Sequence, residues 1–111
     1  MKNFVFDISR VEFEERYDDE EYNTSTLYFS APKEWLNNKY PEAISTEISL
    51  EYPLGFVPEA HDVTVMMSPT RENEDGYEDY DWYDWFDIDL VYSDIEALLS
   101  LAERSKSDEK F

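Results

Sequence analysis

Cysteine is absent from the 111 residues. That excludes disulfides, thiolate metal ligation and a cysteine nucleophile, so the core must hold itself together by packing. Glycine occurs only at Gly55 and Gly76, and histidine only at His61. Isolated glycines do not form a phosphate-cradling loop, and a single histidine beside Pro58 and Asp62 reads as a surface residue without a nucleophile to activate. Positive charge is also scarce: nine Lys and Arg stand against 28 Asp and Glu, a formal charge of −19. Such a chain repels DNA, RNA and anionic membranes, which leaves a basic partner as the expectation. No apolar run approaches membrane-spanning length, and residues 1–7 lack the apolar stretch of a signal peptide, so a cytoplasmic location is expected.

There is nevertheless enough apolar material to fold. With 41% apolar and 17% aromatic residues, the chain departs from disordered acidic tails, which bury too little surface to offset chain entropy. Its length suits one hydrophobic core. One domain is read over residues 1–104, with a frayed tail at 105–111 where apolar periodicity ceases.

Phe4, Phe6 and Ile8 alternate with Val5, Asp7 and Ser9, and the apolar phase then moves to Val11 and Phe13. This predicts one long first strand with a bulge between Ile8 and Val11. Residues 14–21 are too charged to be buried and read as a solvated turn. A short strand follows at 26–30, then a brief helix from Pro32 through Trp35 and Leu36, with Trp35 as a packing residue. Ile44, Thr46, Ile48, Leu50 and Tyr52 alternate with Ser45, Glu47, Ser49 and Glu51 in the cleanest strand of the sequence. A fourth strand is predicted at 63–67, ended by Pro69. The fifth spans about residues 80–91, with Trp82, Phe86, Ile88 and Leu90 on its apolar face and Asp81, Tyr83, Trp85, Asp87 and Asp89 on the other. Ser93, Asp94, Ile95 and Glu96 match a capping box, and Ile95, Leu98, Leu99 and Ala102 follow at helical spacing, predicting a helix over 93–104. The expected fold class is α+β: an antiparallel sheet of about four to five strands with a C-terminal helix packed on one face.

The charges are segregated along the chain. Between Tyr40 and Glu103, Arg71 is the single basic residue against seventeen acids. Ordinary surfaces intersperse signs, whereas a region of one sign suits an opposite field. Residues 72–89 interleave nine carboxylates with six aromatic rings, combining charge with the rigid contact area that anchors interfaces. The candidate partner-binding residues are Glu72, Glu74, Asp75, Glu78, Asp79, Asp81, Tyr83, Trp85, Asp87 and Asp89. The earlier acidic block, Glu14, Glu15, Asp18, Asp19, Glu20 and Glu21, joins them if the two blocks lie together. Alternate side chains on a strand stand roughly 7 Å apart, a spacing comparable to successive phosphates on one nucleic-acid strand.

In its size, charge and acid-aromatic run at residues 72–89, the chain resembles the small acidic DNA-mimic inhibitors of phages and mobile elements, of the anti-restriction and anti-CRISPR type. That class has no common fold, so the resemblance implies a mode of action only: occupation of the basic nucleic-acid-binding surface of a target, with a host defence nuclease complex as the expected one. It also implies no catalysis, no cofactor and no direct binding of nucleic acid. Two further readings of the same charge are an immunity or antitoxin-like protein that covers a basic toxin, and an acidic interaction domain without mimicry. A metal-dependent hydrolase using Asp87 and Asp89 is a third. Gly76 fails as the sixth position of an EF-hand loop, because Arg71 and Trp82 would occupy the first and twelfth positions.

Overall fold

The computed structural model describes residues 5–36, 40–79 and 82–108, with side chains through Ser105. Five antiparallel strands form one sheet in chain order: β1 (Glu12–Asp19), β2 (Thr24–Ala31), β3 (Ser45–Pro53), β4 (Thr64–Thr70) and β5 (Phe86–Asp87). Each strand after the first therefore pairs with its predecessor. A single α-helix, α1 (Tyr92–Asp108), closes the chain, and the α+β architecture stands as the sequence predicted.

Strand alternation sorts the side chains onto two faces. Leu27, Leu50 and Val65 lie in one row across the sheet, and Phe29, Ile48 and Met67 in the next. These residues are buried, and they form one cluster with Ile95, Leu98 and Ala102 of α1. Burying such side chains contributes about 1.5–3 kcal/mol each, so this face is where the fold is held. Among the described residues no helix covers the opposite face, which presents Thr26, Tyr28, Glu47, Ser49, Glu51 and Met66.

Several expectations are corrected. The first strand begins at Glu12 instead of near Phe4, because Asp7 caps a 3-10 turn at Ile8–Arg10 by accepting from the Ser9 amide at 3.1 Å. Residues 14–19 are strand, not turn, since β1 is a sheet edge whose charged side chains stay in water while its backbone pairs with β2. The bulge falls at Glu14 instead of between Ile8 and Val11. The actual turn is short, and it passes through Asn23 at φ 56°, a left-handed conformation that asparagine tolerates.

Pro69 was read as a terminator, yet it sits inside β4 opposite Thr46. The carbonyl of Val65 two pairs earlier faces β5, accepting from Ile88 at 3.2 Å. By alternation the missing amide of Pro69 faces the same side, beyond the two residues where β5 pairs. The fifth strand is accordingly much shorter than predicted. Ile88 is buried and Phe86 and Leu90 pack on the core as expected, but Trp82 belongs to a turn outside that core. Tyr80 and Asp81 lie outside the described residues, as do Phe4 and part of the expected tail. The helix runs to Asp108, four residues past its predicted end. No helix among the described residues is long and apolar enough to cross a membrane.

Candidate functional site

The bulge at Glu14 decides which charges reach the uncovered face. Phe13 pairs with Phe29 and Glu15 with Tyr28, so Glu14 is an extra residue. With a regular strand, alternation from Phe13 would send Glu15 and Tyr17 toward the core and Arg16 to the open face. The bulge reverses that assignment. Arg16, the one basic residue within a described strand, turns to the helix side and donates to Asp18 at 2.9 Å. Glu12 and Glu15 of β1, Glu47 and Glu51 of β3 and Asp87 of β5 all share the open face. Strand spacing near 4.8 Å sets β1 and β3 about 10 Å apart, and β1 and β5 about 19 Å apart, across the sheet.

The stretch between β4 and β5 folds back over this face. Residues 72–78 form a small loop closed by a Glu72 to Glu78 bridge. Its tip is shaped by Gly76 at φ +83° and by the Asn73 side chain, which accepts from the Asp75 and Tyr77 amides. Behind the loop, Arg71 pairs with Asp79 at 3.0 Å and Glu42 at 3.2 Å, with its guanidinium 4.7 Å from the Trp82 ring centre. Arg71 thus neutralises Asp79 and bridges it to Glu42 beside the acidic loop.

Between loop and sheet is a hollow of about 390 Å³. Its β1 wall is Glu14, Glu15 and Tyr17; Tyr28 and Glu47 line it from β2 and β3; Glu78, Tyr83 and Trp85 close it from the loop side. Trp85 meets Tyr28 at 6.4 Å and Tyr83 at 5.7 Å between ring centres, and the Tyr83 hydroxyl donates to Glu78 at 3.0 Å. Among these acids, Glu47 is pushed up to about 10, first by burial, then by a hydrogen bond with Glu14 and repulsion from Glu14, Glu78 and Glu15. The same field raises the Tyr28 phenol, whose chief cause is burial, followed by Glu15, Glu47 and Glu51. Rings and carboxylates converge here on a space suited to a cation.

The sequence-predicted residues divide accordingly. Glu14, Glu15, Glu78, Tyr83 and Trp85 come together, so the two acidic blocks meet at this point. Tyr83 and Trp85 are half-buried walls of the hollow, not outward anchors. Glu72, Glu74 and Asp75 are exposed on the neighbouring loop, Asp79 is engaged by Arg71, and Asp81 lies outside the described residues. Asp87 and Asp89 are exposed, but only Asp87 belongs to the paired strand.

Asp18, Asp19, Glu20 and Glu21 do not join the site. They lie at the opposite end of β1, where Asp19 accepts from the Glu21 amide and Asp18 from the Ser25 hydroxyl. Tyr17, Tyr28 and Glu47 were missed. Glu47 looks in sequence like Glu51, one acid on the wet side of a strand, and only the loop above it makes the difference.

Two other features lie elsewhere on the molecule. On the helix side a cavity of about 670 Å³ is lined by Leu27, Tyr52, Phe56 and Leu99, with Arg16 and Glu103 also contributing. Glu59, His61 and Asp62 form the one described group with ligand atoms near enough to share a metal ion, and all three are exposed. No family model, no curated protein and no solved structure matches the chain.

Proposed function

We propose that the protein is a non-catalytic binding module that offers the open acidic face of its sheet to the basic, nucleic-acid-binding surface of another protein, acting as a polyanion mimic and inhibitor. A host defence nuclease complex is the expected target. The observation that carries this reading is the sorting of charge at β1: carboxylates from β1, β3 and β5 share the face that Glu78, Tyr83 and Trp85 overhang, while Arg16 is turned to the other side. A face on which Glu12, Glu15, Glu51 and Asp87 gather attracts a basic channel and adds charge-assisted hydrogen bonds on contact.

The test is binding to purified defence nucleases with duplex DNA as competitor, at salt from about 50 to about 300 mM. Mimicry requires mutual exclusion with DNA and affinity that falls steeply as salt rises. The combined variant Glu15→Gln, Glu51→Gln and Asp87→Asn should weaken binding at least tenfold and flatten the salt dependence. Tight binding to one basic protein that DNA fails to displace would instead favour the immunity-like reading.

A further inference from the structure

We propose that the hollow framed by Tyr28, Tyr83 and Trp85 is the seat of a single guanidinium group, an arginine side chain of the basic partner, held by Glu15, Glu47 and Glu78. That the cation comes from a protein rests on the function proposed above; the seat itself does not. The enclosure of about 390 Å³ has room for one side chain. Its lining includes the rings of Tyr28, Tyr83 and Trp85, and aromatic rings attract a cation over their faces and stack with a planar guanidinium. Its carboxylates accept the forked donors of that group, whereas a lysine ammonium is more strongly hydrated and loses more on entering. Among the described residues the lining is carboxylates and rings with no basic side chain, which disfavours an anion.

Binding is coupled to a proton. The groups facing Glu47 are Glu14, Glu15 and Tyr17 from β1, Tyr28 from β2, and Glu78 and Tyr83 from the loop, with no basic residue among them. In the empty hollow Glu47 holds its proton far above the usual carboxylate range, because burial, then the hydrogen bond with Glu14 and the neighbouring carboxylates, disfavours another negative charge. A guanidinium supplies the positive charge that the proton had supplied, so the proton leaves as the cation enters. Occupancy therefore strengthens as pH rises.

Agmatine, which carries the arginine headgroup on a short chain, is the probe. Calorimetry of the full chain in two buffers of different ionisation heat should show saturable binding with proton release, and tryptophan emission should change with the same midpoint. Glu78→Gln and Glu15→Gln, both at exposed positions, should each weaken agmatine at least tenfold. Glu47→Gln should weaken it and abolish proton release, with near-ultraviolet dichroism checking that the fold persists. 1,4-Diaminobutane, the dication in which an ammonium replaces agmatine's guanidinium, should bind several-fold more weakly than agmatine, and Asp62→Asn, outside the hollow, should leave binding unchanged.

Absence of saturable agmatine binding, equal affinity in Glu78→Gln and wild type, or equal affinity for 1,4-diaminobutane would each overturn the assignment. Agmatine binding that leaves capture of a DNA-binding protein untouched would uphold the seat and sink the mimicry. DNA-competitive capture without agmatine binding would do the reverse.

Discussion

A carboxyl kept protonated by its surroundings ties folding to pH, and Glu47 is that group. Its pKa is raised from 4.5 in the unfolded reference to about 10 in the fold. The fold binds this proton more tightly than the unfolded chain, so the stabilisation it supplies is complete below about 4.5 and is lost as pH rises toward 10. Glu47→Gln keeps the shape and the hydrogen-bonding capacity without the charge. It should stabilise the protein at pH 7 by about 1 kcal/mol, a figure reduced for the solvent that still reaches the group, and should flatten the rise in stability on acidification. Urea unfolding of both proteins from pH 5 to pH 9 measures this; an unchanged pH slope in the variant would show that Glu47 ionises freely. Glu47 was legible as a wet-face residue of a strand, but its environment was not, because none of the groups that perturb it is near it in sequence.

At the scale of elements, one inserted residue governs the edge strand. Phe13 would still pair with Phe29, and Glu15 with Tyr28, if Glu14 were removed. Deleting Glu14 should therefore leave the sheet and its circular dichroism intact, while the loss of its hydrogen bond and repulsion lowers the Glu47 pKa in an NMR titration. Helix α1 behaves differently, since its apolar stripe is what covers the other face. Leu98 is fully buried, and Leu98→Ala should cost about 2–5 kcal/mol in denaturant unfolding through lost contact and the cavity left behind. The helix and the alternation of β3 were legible because each is a local period with strong contrast. The edge strand β1 and Pro69 in β4 were not, because both depend on which neighbouring strand is present and how far it extends.

For the molecule as a whole, a formal charge of −19 means that added salt acts in two directions. Screening relieves self-repulsion within the fold and should raise the thermal midpoint between about 10 mM and about 300 mM monovalent salt. The same screening weakens attraction to a basic partner, so stability and affinity should move oppositely across one salt series. Scanning calorimetry paired with the competition assay reads both. A thermal midpoint independent of salt would mean that the carboxylates are too dispersed to repel one another appreciably.

Composition and periodicity by themselves determined that this chain folds, that it is α+β, and that acidic charge dominates it. Those properties are sums or short-range repeats, which a linear sequence carries in full. Tertiary structure alone decided that Glu14 and Glu15 meet Glu78, Tyr83 and Trp85 while Asp18 to Glu21 lie apart. That meeting depends on the phase of one bulge and on a loop folding back across three strands, and contacts between distant segments are set by packing, not by the order of residues.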